Sequence, residues 1–253
     1  MEYVRLGKSN LMISRVAMGI SSLEKLCSDS KSYELVRTAY EQGINFFDTS
    51  RKMPDCEKLL GEALGDIREN VIIATKTKAQ SGSEVLSDFE ESLNSMKCDA
   101  IELFQYETDS FLPEKNGVDG IFSSLTRLKD DGKCRAIGIS TQNLDVAEKA
   151  INSGLYDTIQ FPFSMISSEK TIALVKLCEE NDMGFVAMQP LCGGVVDNIP
   201  LAFGFLRQYE NVIPLWGVKT ADELKQILYF NEHPPVIDEK FKEDVERFRM
   251  FFN

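Results

Sequence analysis

Three charged residues in the first half of the chain each stand at the end of a short apolar run. Asp48 ends the run NFFD, Lys76 ends VIIATK, and Glu107 ends IELFQYE. Apolar runs of this length predict buried strands, and the ends of parallel strands gather at one edge of their sheet. We therefore expect two carboxylates and an ammonium group to meet at one site, where they could hold a polar substrate or move a proton.

Asp48 and Lys76 stand on consecutive predicted strands and are expected to form a partly buried ion pair. Taking two charges out of water costs several kcal/mol, so such a pair is a poor way to gain stability alone. Ionisable groups held in a cleft against this cost are candidates for function. The pair is therefore the first candidate for an active site.

The elements that must position these residues alternate regularly along the chain. A short hairpin is predicted around the turn GKSN at residues 7–10, from residues 3–6 and 11–16. Strands are then predicted at 16–19, 45–49, 71–76, 100–107, 135–140, 158–163, 184–190 and 212–219. Helices are predicted at 32–42, 57–64, 83–96, 120–129, 145–151, 169–181, 201–209 and 221–229, with a further helix at 238–252.

Eight strand–helix units with short connections predict an α/β fold, a (β/α)8 TIM barrel with a short N-terminal hairpin and an extra C-terminal helix. No linker divides the chain, so one domain is expected over residues 1–253. The long connection at 108–119 is either a flap over the site or a tolerated surface loop. The strand ends of a barrel share one rim, which would gather Asp48, Lys76, Glu107, Ser140, Gln160, Gln189 and Gly217.

The amino-acid composition of the chain limits the classes of partner that are expected. The 253 residues carry a formal net charge of -12, which repels nucleic acid and anionic membranes. The first residues lack the apolar segment of a signal peptide, and no apolar run reaches membrane length. We expect a cytoplasmic protein with a small-molecule substrate, no nucleic acid partner and no membrane partner.

The six cysteines are widely scattered, and none forms a C-x-x-C pair. This spacing favours free buried thiols over a disulfide framework or a zinc site. No metal site is therefore expected.

Several segments together resemble the aldo-keto reductases. They read GINFFDT, LGEAL, IATK, DAIELFQ, IGIS, QFPF and AMQPLCGG, in order and spread over nearly the whole chain. The resemblance implies a (β/α)8 barrel that binds NADP(H) without a Rossmann domain. In that family hydride passes to a carbonyl while a tyrosine donates the proton. A lysine and an aspartate tune the tyrosine, and a histidine orients the substrate.

Only half of that tetrad is present. Asp48 and Lys76 match the aspartate and the lysine, but Met53 stands at the tyrosine position and Glu107 at the histidine position. A thioether has no proton to give. The sole histidine, His233, is predicted to be an exposed loop residue beyond the barrel. General acid catalysis contributes about 10²–10⁴ in rate, so its loss would cripple ordinary carbonyl reduction.

Other groups could supply the proton. Glu107 could do so if the apolar strand residues around it favour its protonated form, although Lys76 would favour the ionised one. Lys76 could act as the acid if Arg51 and Lys52 weaken its hold on the proton. Tyr106 is expected to point away from Glu107, toward the helices, because strand side chains alternate. These alternatives stay open, and they are also compatible with a site that has lost its chemistry.

The resemblance also implies a cofactor site. The run WGVKTADEL resembles the family's phosphate-binding segment, where the start of a helix suits an anion and Lys219 could meet a 2′-phosphate. The alternative is a capping box, formed by Thr220 and Glu223 without any ligand. Trp216, the only tryptophan, is expected near the cofactor. The candidate cofactor-binding residues are Gly19, Ser140, Asn143, Gln160, Met188, Gly217, Val218, Lys219, Thr220 and Glu223.

The AMQPLCGG segment resembles a branch of the family whose chains continue into a cysteine-rich iron–sulfur tail. This chain stops before any such cysteines, so no iron–sulfur cluster is expected. Its last helix carries Phe248, Phe251 and Phe252, which either pack on the barrel wall or form a surface for self-association into a homo-oligomer.

Three functions remain open at this stage. The leading one is an NADP(H)-dependent oxidoreductase that acts on an unknown carbonyl or enone through a changed site. A catalytically inactive barrel that binds or regulates is the second. The third is a non-redox lyase or isomerase with Lys76 or Glu107 as its base.

Overall fold

The computed structural model describes residues 1–252, with the backbone alone for Phe252. Eight parallel strands close into a barrel: β3 (Ala17–Gly19), β4 (Phe46–Asp48), β5 (Ile72–Thr77), β6 (Ile101–Glu107), β7 (Cys134–Ser140), β8 (Thr158–Pro162), β9 (Gly184–Met188) and β10 (Val212–Trp216). Their order around the barrel is β10-β3-β4-β5-β6-β7-β8-β9. β1 (Tyr3–Arg5) and β2 (Met12–Ser14) form a separate antiparallel hairpin.

The helices alternate with the barrel strands, as predicted. They are α1 (Ser30–Glu41), α2 (Pro54–Leu64), α3 (Gly82–Met96), α4 (Ile121–Asp130), α5 (Leu144–Ser153), α6 (Glu169–Glu180), α7 (Ile199–Arg207), α8 (Ala221–Glu232) and α9 (Glu239–Phe252). None of those described is both long enough and apolar enough to cross a membrane. The predicted (β/α)8 barrel with its hairpin and extra C-terminal helix is confirmed.

Element boundaries differ where local chemistry ends a strand or starts a helix early. α2 begins at Pro54 rather than residue 57, because proline suits the first helical position, where its missing N–H is not needed. β10 ends at Trp216 rather than residue 219, since the chain turns there toward the cap of α8 at Thr220. β9 ends at Met188, and Gln189 follows with a left-handed φ of 56°.

The hairpin closes the N-terminal end of the barrel. Leu6, Leu11 and Ile13 are buried in one cluster with inward-facing strand residues such as Phe46 and Leu103. Close packing is possible because Gly184, the first residue of β9, has no side chain: a Cβ there would lie 2.6 Å from Cγ of Leu6. With this end filled, a ligand can reach the barrel axis only from the opposite, C-terminal end.

The last helix, α9, packs on α7. Gly204 leaves room for the ring of Phe241, because a Cβ at that glycine would lie 2.6 Å from the ring. Phe248 is half-buried against the main apolar core, as expected for packing on the barrel wall, whereas Phe251 is 83% exposed. The side chain of Phe252 lies outside the described residues.

The prediction that all six cysteines are free thiols is wrong. Cys27 and Cys56 form a disulfide although they are 29 residues apart in the sequence. Cys27 follows a 3-10 helix at Ile20–Leu26, and this segment packs against the first turn of α2, which carries Cys56. Spacing in the sequence does not reveal this contact. Two of the other cysteines, Cys134 and Cys178, are so buried that the pKa of each thiol is raised to about 12.

Candidate active site

A cleft of about 810 Å³ opens at the C-terminal rim of the barrel. It is bordered by the segments that follow the strands, so residues far apart in the sequence face one another. All seven residues predicted to share the rim line it: Asp48, Lys76, Glu107, Ser140, Gln160, Gln189 and Gly217. The prediction that the strand ends gather these residues at one rim is therefore confirmed.

Asp48 and Lys76 form a buried ion pair in the floor of the cleft. Nζ of Lys76 lies 2.8 Å from both carboxylate oxygens of Asp48 and 2.6 Å from the carbonyl oxygen of Thr49. The amide Nε2 of Gln160 donates to Asp48 Oδ2 over 3.4 Å. Burial raises the pKa of Asp48, and the ammonium of Lys76 opposes that rise. All three N–H donors of Lys76 therefore point at protein acceptors.

Glu107 lies between two ammonium groups. Its Oε1 is 3.1 Å from Nζ of Lys52 and 2.9 Å from Nζ of Lys78. Glu107 was expected to lie among apolar strand residues, but β6 ends at this residue, and its side chain is a quarter exposed at the rim beside two charged neighbours. Lys78 was not among the predicted residues. The sequence pattern Lys76-x-Lys78 could have identified Lys78, because alternate residues of an extended strand share one face.

Arg51 does not face Lys76, contrary to expectation. Its guanidinium forms an ion pair with the fully buried Glu57 and donates to Ser95 over 3.0 Å. Glu57 also accepts hydrogen bonds from Thr75 at 2.9 Å and Ser92 at 2.6 Å. Burial raises the pKa of Glu57, while its hydrogen bonds and Arg51 act in the opposite direction. The network fixes the loop between β4 and α2, which borders the cleft.

Met53, Tyr106 and His233 lie where the sequence predicted, and none was expected to donate a proton to the substrate. Met53 is half-buried and lines the cleft at the start of α2. Tyr106 points away from the barrel axis, as predicted, and its hydroxyl donates to the carbonyl oxygen of Ala79 over 3.0 Å. His233 is exposed at the end of α8, where its ring stacks on Tyr229 at 4.7 Å.

Eight of the ten predicted cofactor-binding residues line the cleft: Gly19, Ser140, Gln160, Met188, Gly217, Val218, Lys219 and Glu223. Asn143 does not. Its side chain caps α5 by accepting from the N–H of Asp145 at 2.9 Å, and it donates to the carbonyl oxygen of Asp109 at 2.9 Å. Thr141, next to Ser140 in the sequence, lines the cleft instead. The turn into α5 directs the side chain of Thr141 into the cleft and that of Asn143 away from it. The strand pattern of the sequence does not reveal this difference.

Thr220, the other exception, serves as a helix cap. Its hydroxyl accepts from the N–H of Glu223 at 3.2 Å, and Glu223 accepts from the N–H of Lys219 at 2.6 Å. The capping box considered from the sequence is therefore formed. An anion at this helix start would meet the side chain of Lys219 in place of these two capped N–H groups.

Polar atoms without a partner remain beside the cleft. Oε1 of Gln160 is buried and has no hydrogen-bond partner, although Nε2 of the same side chain is held by Asp48. Buried acceptors are almost always paired in native proteins. An amide donor of a ligand fits this oxygen, and a nicotinamide carboxamide carries such a donor. Within residues 1–252, no group of three or more histidine, cysteine or acidic side chains could hold a metal ion.

The chain matches a known protein family over most of its length. The model of the Aldo/keto reductase family matches residues 15–202. "Uncharacterized oxidoreductase YqkF" of Bacillus subtilis (strain 168) is 27% identical over 211 residues, which cover 78% of this chain and 67% of that protein. "NADH-specific methylglyoxal reductase" of Escherichia coli (strain K12) is 23% identical over 230 residues, covering 78% and 69%. The chain spans about two thirds, or slightly less, of the length of the curated relatives it matches.

Solved structures agree on the architecture. "Aldo-keto reductase AKR11C1 from Bacillus halodurans (holo form)" superposes with a TM-score of 0.86 and covers 98% of this chain and 96% of its own. The two sequences are 20% identical, so the likeness concerns the fold alone.

Proposed function

This chain belongs to the aldo/keto reductase family, and from that membership we propose that it is an NADP(H)-dependent oxidoreductase acting on a small carbonyl or enone compound. Its relatives include oxidoreductases, one of which is named for methylglyoxal. The proposal is carried by one observation: the Asp48–Lys76 pair and the unpartnered Oε1 of Gln160 share the floor of a single cleft.

The residues of the cleft divide into two proposed roles. Ser140 and Gln160 would hold the nicotinamide carboxamide, and Met188 would lie against the ring. Lys219 would meet the 2′-phosphate at the start of α8. When bound, the cofactor supplies hydride. The Asp48–Lys76 pair would keep a fixed positive group near the reacting carbonyl, where developing negative charge is stabilised in a site shielded from water.

The cofactor assignment is tested by titrating the protein with NADPH while Trp216 fluorescence is recorded. Trp216 borders the cleft and is 2% exposed, so a dinucleotide in the cleft should quench it. The Trp216→Phe variant is the control, because it removes the only tryptophan and with it the signal. An unchanged spectrum at millimolar NADPH, with no binding seen by calorimetry, would end this proposal.

A second candidate is a catalytically inactive barrel that binds a ligand or regulates a partner. Two observations favour it: Met53 offers no proton, and the three N–H donors of Lys76 are already engaged. It is separated from the first by assaying NADPH oxidation with a panel of aldehydes, dicarbonyls and enones. Steady reduction of any of these compounds would rule out the inactive barrel.

A lyase or isomerase is the third candidate. As a base, Lys76 would need a free lone pair, but its Nζ donates to three acceptor oxygens at 2.6–2.8 Å. Glu107 keeps a carboxylate at the rim and is the better base in this case. Undiminished turnover of the true substrate by a Lys76→Ala variant would remove Lys76 from such a mechanism.

We further propose that residues 1–253 act as one barrel domain in the cytoplasm, on a small molecule and without nucleic acid or membrane partners. The acidic composition supports the absence of nucleic acid and membrane partners, because it repels polyanions and anionic lipid. Self-association through the exposed end of α9, where Phe251 is 83% exposed, is part of the same proposal. Light scattering on the wild type and on Phe251→Ser distinguishes a monomer from a homo-oligomer.

A further inference from the structure

We propose that Lys52 donates the proton to the substrate oxygen in this cleft. The inference rests on the proposed reductase function and names the group that stands in for the missing tyrosine. It follows from which ammonium, hydroxyl and indole groups reach the cleft and which of them are already committed to protein acceptors.

The other candidate groups are occupied or directed elsewhere. Lys76 gives its three N–H donors to Asp48 and Thr49. The hydroxyl of Tyr106 is bonded to the backbone at Ala79, outside the barrel axis. Met53, next to Lys52, carries no acidic proton.

The remaining polar groups of the cleft are poor acids or lie elsewhere in it. The hydroxyl of Thr141 donates to Asp109 over 3.0 Å. Aliphatic hydroxyls and the indole N–H of Trp216 hold their protons far too tightly at neutral pH. Lys219 is at the start of α8, after β10, and is assigned to the cofactor phosphate. Lys52 is left as the ammonium with donors to spare.

Lys52 is well situated to reach a bound carbonyl. It borders the cleft in the loop between β4 and α2, and its Nζ directs one N–H to Glu107 over 3.1 Å. Its other N–H donors are available to a substrate oxygen. The side chain is 48% exposed, so the amine left after proton transfer can regain a proton from solvent.

The loop that carries Lys52 is held in place on both sides. The backbone N–H of Arg51 donates to the carbonyl oxygen of Lys76 over 2.9 Å, and the N–H of Met53 donates to Ser50 over 2.9 Å. The guanidinium of Arg51 is anchored to the buried Glu57. Lys52 therefore extends from a fixed backbone, which is what a positioned proton donor needs.

The charges around Lys52 suit this role. Burial and the neighbouring ammonium of Lys78 lower the pKa of Lys52, and Glu107 acts in the opposite direction. A general acid works best when its pKa lies near the working pH. Glu107 and Lys78 would thus be positioning residues that tune the donor.

The reaction balances without any further reactant. Hydride arriving from the reduced nicotinamide forms the new C–H bond at the carbonyl carbon. The electron pair of the carbonyl π bond moves to oxygen and takes a proton from Nζ of Lys52. The products are an alcohol, the oxidised nicotinamide and a neutral amine, which solvent reprotonates.

The decisive variant is Lys52→Arg, with Lys58→Arg on the exposed face of α2 as the matched control. Arginine keeps the positive charge and the contact with Glu107 but cannot release a proton at usable pH. We expect Lys52→Arg to lower kcat for carbonyl reduction by about 100-fold or more, within the range of general acid catalysis. Affinity for NADPH should be unchanged, and Lys58→Arg should match the wild type.

A second readout needs neither cofactor nor substrate. NMR of lysine-labelled protein follows the ionisation of each Nζ, with Lys52 assigned by its absence in Lys52→Arg. We expect Lys52 to titrate at lower pH than the exposed lysines. Glu107→Gln should lower its pKa further, and Lys78→Met should raise it, because these partners act on it in opposite directions.

The outcomes separate this inference from the function on which it rests. Full activity of Lys52→Arg, or titration of Lys52 together with the exposed lysines, overturns the role of Lys52 and leaves the reductase in place. Wild-type protein that binds NADPH but reduces nothing in the carbonyl panel also overturns it. Absence of NADPH binding ends the reductase proposal itself, and the donor role with it.

Discussion

Lys76 differs from an ordinary surface lysine in having no uncommitted donor. Its contacts with Asp48 and Thr49 lie at 2.6–2.8 Å, and the residue is 7% exposed. Such a group acts as a fixed charge better than as a mobile acid. It also makes the floor of the cleft depend on Asp48, because an ammonium buried without its counter-ion is strongly unfavourable.

Replacement of Asp48 by Asn should therefore destabilise the fold. We expect a loss of about 3 kcal/mol in the free energy of unfolding, because Lys76 is left as an uncompensated buried charge. Urea unfolding measures it. The double variant Asp48→Asn/Lys76→Met should recover most of the loss, and a single-variant effect below about 1 kcal/mol would contradict the burial of the pair.

At the other side of the cleft, Lys219 should determine which dinucleotide binds. Lys219→Met is expected to weaken NADPH binding by about 10-fold, the effect of one lost hydrogen bond to a charged group, and to leave NADH binding unchanged. Calorimetry with both cofactors measures this. Lys225→Met, on the exposed side of α8, is the control. An equal loss for both cofactors would place Lys219 away from the 2′-phosphate.

At the scale of elements, two connections that border the cleft are fastened to the same helix. The 3-10 helix at Ile20–Leu26 is joined to α2 through the Cys27–Cys56 disulfide. The loop ending at Met53 is joined to α2 and β5 through Arg51, Glu57 and Thr75. The shape of the cleft mouth thus depends on α2 keeping its place.

Loss of the disulfide should loosen this arrangement. Cys27→Ala, or treatment of the wild type with a dithiol reductant, is expected to lower stability by about 2–4 kcal/mol, because the unfolded chain is no longer constrained. Thermal unfolding with and without reductant measures the change. Cys192→Ala, a half-exposed free thiol, should respond to reductant as the wild type does. Equal unfolding curves in both conditions would show that the bond does not contribute.

At the scale of the whole molecule, the barrel is filled at one end and open at the other. The hairpin covers the N-terminal end through Leu6 and Leu11, and the charged rim residues lie at the C-terminal end. Between them the strands pack closely. A Cβ at Gly138 of β7 would lie 2.1 Å from the hydroxyl oxygen of Thr158 on β8.

A single methyl group at Gly138 should therefore disturb the closed sheet. Gly138→Ala is expected to cost about 1–3 kcal/mol, since β7 and β8 must shift to make room. Gly65→Ala is the matched control, because nothing lies within 4 Å of a Cβ there. Chemical unfolding compares the two. Equal stability of both variants would contradict the tight packing of the barrel interior.

The sequence by itself determined the architecture and the location of the site. Alternating apolar runs and amphipathic segments predict eight strand–helix units, and their closure brings Asp48, Lys76 and Glu107 to one rim. Side-chain alternation likewise predicts that Tyr106 points outward. These features follow from periodicity, which each segment carries on its own.

Only the tertiary structure decided several other contacts of the rim. The disulfide of Cys27 and Cys56, the pairing of Glu107 with Lys52 and Lys78, and the turn of Arg51 toward Glu57 each join a side chain in a connection to one on a helix or strand. A connection has no period, and its direction is set by the surfaces it packs against. The chemistry of this rim therefore depends on contacts that appear only when the barrel is closed.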